Sequence, residues 1–155
     1  MGDTKRFRLL AEFIERNYPN IDTVLDVAGG SNGYLASELR KRDYTVRTID
    51  PCSRDIADFF TLDKLRDLEK EQKQKFDLIV GVHPDGATRE ICRAAKTHDI
   101  VIVPCCNMWT EKEPNIYRLI QNYLRTNRIE YALLMLPMRG RNIVYYTKNY
   151  NRGRK

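Results

Sequence analysis

An apolar run at residues 23–28 passes into Asp26-Val27-Ala28-Gly29-Gly30-Ser31-Asn32-Gly33, and a helical pattern, Tyr34-Leu35-Ala36-Ser37-Glu38-Leu39 onward, opens directly behind it. A buried parallel strand that turns through glycines into a helix points to the α/β class, in which helices cover the sheet. The glycines are needed on two counts. They accept positive φ in a tight turn, and they carry no Cβ to hold a ligand away from the backbone amides. A second run, Tyr44-Thr45-Val46-Arg47-Thr48-Ile49, ends at Asp50, from which a carboxylate can accept from both hydroxyls of a ribose. Two acids at two adjacent strand ends constrain the chain more than a glycine turn alone.

The rest of the chain alternates helix and strand without an internal repeat or a low-complexity linker. Residues 5–17 place Phe7, Leu9, Leu10, Phe13 and Ile14 on one helical face, and Pro19-Asn20 end that N-terminal helix, which occupies residues 1–20. After the loop at residues 51–55, residues 56–60 are a short strand or a strand end. Residues 64–75 are almost entirely polar, which predicts a solvent-facing helix or a mobile connection. Residues 76–82 are a fourth strand, 88–98 a helix, and 100–103 a fifth strand. Residues 114–127 form another helix with Pro114 in its first turn. Residues 129–136 and 142–147 are two strands joined closely enough, through residues 137–141, to pair antiparallel. The expectation is one α/β domain over residues 1–155: a Rossmann-like, mostly parallel sheet with helices on both faces and a C-terminal antiparallel hairpin. At 155 residues, such a domain buries roughly two-thirds of its unfolded surface without disulfides.

Charge and cysteine content narrow the setting. The 27 Lys and Arg exceed the 21 Asp and Glu by the net +6. Residues 139–155 hold Arg139, Arg141, Lys148, Arg152, Arg154 and Lys155 and no acid, so the excess belongs there, with residues 148–155 as a basic tail. Tyr145, Tyr146 and Tyr150 are interleaved with these bases, a composition suited to RNA phosphate contact and base stacking. The alternative is a solvated end with half-buried strand tyrosines. Cys52, Cys92, Cys105 and Cys106 include no Cys-x-x-Cys pair, so reduced thiols are expected, with neither a disulfide framework nor a bound metal. No apolar run reaches the roughly 18 residues of a membrane span, and the first residues lack the apolar stretch of a signal peptide. A soluble, cytoplasmic protein without membrane contact is expected.

With its Ala-Gly-Gly-x-x-Gly turn, Asp50 and terminal hairpin, the chain resembles the class I S-adenosylmethionine-dependent methyltransferases over residues 23–147. In that family a seven-stranded sheet ends in such a hairpin, and the first motif is an acid followed by a glycine-rich turn. A narrower likeness lies in Gly81-Val82-His83-Pro84-Asp85-Gly86-Ala87-Thr88 and in Pro104-Cys105-Cys106. Those residues look like a methyltransferase branch with Gly-x-His-Pro-Asp-x-Ala-Thr and Pro-Cys-Cys motifs, some members of which methylate tRNA ribose. The resemblance implies S-adenosylmethionine as cofactor. Asp26 would orient its amino-acid moiety through the turn, Ala28, Gly29, Gly30 and Gly33 would line it, and Asp50 would hold the ribose hydroxyls. Asp58, before Phe59, is the candidate for the adenine amino group, with Asp63 the runner-up; the alternative for Asp58 is an exposed loop acid.

Methyl transfer requires a nucleophile aligned in line and, for a hydroxyl or a protonated nitrogen, a group to remove the proton. His83 ends the fourth strand, at the carboxyl edge where open α/β proteins hold ligands, and can serve there as a general base; the alternative is a histidine that bonds the backbone and shapes the pocket. Asp85 either orients His83, takes the proton itself, or caps the following helix. Cys105 and Cys106 read as walls, and Asn107, Met108 and Trp109 as a substrate shelf, with Trp109 stacking on a base or covering the sheet edge. Two other classes compete. A catalytically silent cofactor- or RNA-binding module is opposed by the polar groups His83, Asp85 and Asn107. A nicotinamide-dependent oxidoreductase is opposed by the glycine spacing and the hairpin. A methyltransferase of a protein or small molecule is the alternative to one acting on RNA.

Overall fold

The computed structural model describes residues 4–105, 109–140 and 142–150 of the chain. The elements run α1 (Lys5–Asn17), β1 (Thr23–Val27), α2 (Tyr34–Arg40), β2 (Thr45–Ile49), α3 (Leu62–Gln72), β3 (Leu78–Val82), α4 (Thr88–Ala94), β4 (Asp99–Val103), α5 (Ile116–Thr126), β5 (Ala132–Met135) and β6 (Ile143–Tyr146). They build one six-stranded sheet in the order β2-β1-β3-β4-β6-β5. The first four strands are parallel, β6 runs antiparallel to β4, and β5 antiparallel to β6.

Alternation along the strands sorts the core into two layers. Val24, Leu78, Val80, Val101 and Val103 face α1 and α2, where they meet Leu10, Phe13, Ile14, Leu35 and Leu39. Leu25, Val27, Ile79, Ile100 and Ile102 face the opposite layer, with Leu65, Leu68, Ile91, Ile120 and Leu124 of α3, α4 and α5. Both faces of the central strands are therefore sealed from water, as all-apolar parallel strands require.

Four local expectations are corrected. The short strand or strand end at residues 56–60 is one parallel bridge between Ile49 and Ile56, which leaves six strands among the described residues where the family resemblance implies seven. Of the two readings of the polar stretch at residues 64–75 the helix holds, as α3, with the correction that it is not wholly solvent-facing: buried Leu65 and Leu68 pin it, and the Thr61 hydroxyl caps it, accepting from Lys64 N at 3.1 Å. Pro114 precedes α5 rather than sitting in its first turn, because the Asn115 side chain accepts from Tyr117 N and Arg118 N and so sets the start at Ile116. Helix α4 stops at Ala94, and His98 turns away to hydrogen-bond Glu69 at 2.8 Å.

The strand order reverses at β1, whose successors β2 and β3 flank it on opposite sides. In open α/β sheets the crevice at such a switch point, outside the carboxyl ends of the strands, is where ligands sit. The glycine turn, Asp50 and His83 follow the carboxyl ends of β1, β2 and β3.

Candidate functional site

The site begins with the turn after β1. Ala28 continues the parallel ladder, donating its N–H to Ile49 O at 2.8 Å, and then bends into the left-handed region at φ 59°. At Gly29 a Cβ would fall 2.4 Å from Asp26 Oδ2 and 2.7 Å from Thr48 Cγ2, distances no side chain could occupy. Gly30 and Gly33 hold positive φ, 69° and 60°, and Gly33 heads α2. Gly29 is thus required by close approach, and Gly30 and Gly33 by backbone conformation.

Asp26 lies beneath this turn at 1% exposure, and its Oδ2 makes no hydrogen bond among the described residues. Burial pushes its carboxyl up to about 7, with Asp50 adding to the rise and Arg40 opposing it. Asp50 sits across the turn, its Oδ2 accepting from Gly30 N at 3.2 Å and its Oδ1 from Cys52 N at 2.7 Å. Two loops therefore fix one carboxylate in place.

Beside Asp50 opens a cavity of about 510 Å³. Its walls are apolar, from Ala28, Ile49, Pro51, Phe60, Pro84 and Ala87, and its carboxylates are Asp50 and Asp58. That volume and lining suit a nucleoside-sized ligand with a flat ring between apolar faces. Phe59 stands at the mouth with 73% of its surface exposed. Asp58 bonds Phe59 N at 2.8 Å and pairs with Lys64 at 2.8 Å, and the Lys64 ammonium holds its carboxyl below the usual range. Asp63 is absent from the cavity wall and pairs with Arg66.

His83 follows β3 at φ 50°, donating its backbone N–H to Val103 O at 2.8 Å. Its Nδ1 lies 3.0 Å from Nη1 of Arg6, on the first turn of α1. A guanidinium offers only donors, so Nδ1 accepts and the neutral ring carries its proton on Nε2. Asp85 opens the 3₁₀ turn Asp85–Ala87, and the residue in the N-cap position of α4 is Ala87, which makes no side-chain cap.

Of the residues singled out in the sequence, Ala28, Asp50, Asp58 and Phe59 line the cavity. Asp26, Gly29, Gly30 and Gly33 form the turn beside it, and His83 adjoins it through Pro84. Arg6 and Lys64 were not foreseen: nothing in the basic start of an amphipathic helix signals which base reaches the end of β3, and nothing in the loop before α3 signals that Asp58 pairs with Lys64. Trp109 packs 5.7 Å from the Tyr123 ring of α5, a wall over the sheet face. Cys52 and Cys92 are free thiols, and burial pushes Cys92 up to about 12. Cys106, Asn107 and Met108 lie outside the described residues, as do Arg141 and residues 151–155. Among the described residues no helix is long and apolar enough to cross a membrane, and no cluster of His, Cys, Asp and Glu could hold a metal ion.

The two described bases of the C-terminal segment, Arg139 and Lys148, lie toward opposite ends of the sheet. Arg139 belongs to the β5–β6 connection, on the carboxyl edge with the cavity. Beyond β6 the chain reaches the opposite edge, where Asn149 N and Tyr150 N donate to Asp99, the first residue of β4.

No protein-family model matches the chain, and no curated protein matches its sequence. Solved structures do match its fold. The amino pentose methyltransferase CalS10 of Micromonospora echinaspora, solved with S-adenosylmethionine bound, aligns with a TM-score of 0.60 at 9% identity over 94% of this chain and 91% of its own. The 16S rRNA methylase ArmA aligns at 0.59 and 14% identity, over 92% and 81%. The magnesium protoporphyrin IX methyltransferase ChlM of Synechocystis PCC 6803, also with S-adenosylmethionine bound, aligns at 0.58 and 14% identity, over 94% and 79%. The chain thus has the Rossmann-like fold of the class I S-adenosylmethionine-dependent methyltransferases. Their acceptors range over sugar, RNA and porphyrin, so the shared fold carries no substrate.

Proposed function

We propose that the protein is an S-adenosylmethionine-dependent methyltransferase that acts on RNA. The observation that carries the cofactor assignment is the turn after β1. There the buried Asp26 Oδ2 has no hydrogen-bond partner among the described residues and lies 2.4 Å from where a Cβ on Gly29 would be, while Asp50 is fixed against Gly30 beside an apolar-walled cavity. These residues fit the cofactor. Asp50 would accept from the ribose hydroxyls, Ile49, Pro51, Phe60 and Pro84 would enclose the adenine, and Asp58 would face its amino group. Asp26 would hold the amino-acid moiety across the turn. When bound, the cofactor supplies an electrophilic methyl group on its sulfonium.

The acceptor would enter from the His83 side. With Nδ1 held by Arg6, the Nε2–H of His83, buried in the ligand-free protein, would donate to the acceptor oxygen and orient it, and Asp85 is the candidate to take the acceptor's proton. The likeness of residues 81–88 and 104–106 to a tRNA-methylating branch supports RNA. So do the bases on the carboxyl edge, Lys5, Arg6 and Arg8 at the start of α1 and Arg139 in the hairpin. Calorimetry with S-adenosylmethionine and its demethylated product tests the reading. The parent chain binds either one 1:1, and Asp50→Ala weakens binding by about 1 to 3 kcal/mol. No binding at millimolar cofactor would end the methyltransferase reading. Binding with methyl transfer to total protein, and none to total RNA, would end the RNA part alone.

A further inference from the structure

The sheet has two edges, and the chain treats them differently. The β2 edge is closed by its own following loop. The Asp55 carboxylate accepts from Thr48 N at 3.0 Å and clamps the Arg47 guanidinium at 2.9 Å, while Ile56 N and Ser53 Oγ both donate to Thr48 O. The β5 edge has no such cover among the described residues. Its strand, Ala132-Leu133-Leu134-Met135, carries no charge and no proline, and Leu133, Leu134 and Met135 are 51%, 41% and 65% exposed. An uncovered, uncharged apolar edge is a template for another strand, and soluble proteins ordinarily blunt it.

The backbone fixes how another strand could add. Leu136 N donates to Asn142 O at 2.9 Å, across from it on the β6 side, so by the alternation of an antiparallel ladder Leu134 bonds inward and Leu133 and Met135 direct their N–H and C=O groups outward. We propose that β5 is the self-association strand of this protein: two copies pair antiparallel through it about a two-fold axis at Leu134, joining their sheets into one. In this register Leu133 exchanges backbone hydrogen bonds with the partner's Met135, and the reverse. Leu134 meets the partner's Leu134 across a non-hydrogen-bonded pair. The ends are complementary in charge, because reversing the strand brings exposed Glu130 of one copy beside exposed Arg139 of the other. A single patch that satisfies itself in this way is what a closed dimer requires.

Sedimentation velocity on the full chain, from about 1 to 100 μM, tests this. The parent sediments as a dimer toward the upper end of that range. Leu133→Lys and Met135→Lys sediment as monomers with the circular dichroism of the parent and the thermal midpoint the parent has at the dilute end of that range, since both side chains face solvent in one copy. Glu130→Lys and Arg139→Glu each weaken the dimer, and together they restore it. Leu134→Cys cross-links on oxidation where the parent, with its own cysteines, does not, because a non-hydrogen-bonded pair brings the two Cα atoms to about 4.5 Å. A parent that is monomeric throughout, lysine variants that still dimerise, or a Leu134→Cys chain that fails to cross-link would each overturn the proposal.

Discussion

Asp26 and His83 show how far a residue's type falls short of its chemistry. Asp26 is held at a position where ionisation opposes folding. Its carboxyl is pushed up to about 7 by burial, against an ordinary value of about 4 in the unfolded chain, so the native state binds the proton more tightly. Its contribution to stability is therefore fully present below about pH 4 and is lost as pH rises through about 7, by an amount on the order of 3 to 4 kcal/mol. Urea midpoints of the ligand-free protein should fall across that window, and Asp26→Asn should flatten the fall; an equally steep fall in the variant would assign it to other groups. For His83 the expected outcome separates donor from base. His83→Gln keeps a donor and should retain turnover on the true acceptor within roughly tenfold, whereas His83→Ala should lose roughly 100-fold. Equal losses in both would return the base role to His83. The sequence made the acids and glycines legible because local backbone geometry dictates them. The proton position on His83 was not legible, because it is set by Arg6, 77 residues away.

Elements with strong periodicity were read closely from sequence. Helix α1 and the terminal hairpin stand where Phe7, Leu10, Phe13 and Ile14, and the alternation around Tyr145, put them. Short or mostly polar elements were not. Two buried leucines suffice to hold α3 against the sheet, and Ile56 pairs at one residue because Asp55, Arg47 and Ser53 saturate the edge that a longer strand would use. Arg139 and Lys148 are close in sequence yet stand toward opposite edges of the sheet, since β6 between them runs from the cavity edge to the far edge. That division bears on RNA binding. If the acceptor approaches over α1, replacing Lys5 and Arg8 with alanine should reduce the slope of log affinity against log salt by about 1.4, given about 0.7 per single-strand phosphate contact. Removing Arg152, Arg154 and Lys155 should change it less. Filter-binding titrations over a range of salt would show which holds; a slope that responds only to loss of the tail would end the approach over α1.

For the molecule as a whole, sheet order was the least legible feature, because strand neighbours are chosen by packing rather than by adjacency in the chain. Its fold class followed from the alternation of strands and helices, but nothing local announces that six strands rather than seven are kept. A dimer through β5 would point the two cavities in opposite directions, each with its own entrance. The same order has a consequence for biosynthesis. β5 leaves the ribosome before β6, yet among the described residues β6 is its sole sheet partner and also the strand that joins it to β4. Until β6 has emerged, the nascent chain holds the apolar Leu133-Leu134-Met135 segment with nothing to lie against, and the flank of β4 that β6 will occupy is bare. Completion of the sheet is therefore the insertion of β6 between two segments made earlier, and any folding intermediate that lacks it leaves the apolar face of β5 open to other chains.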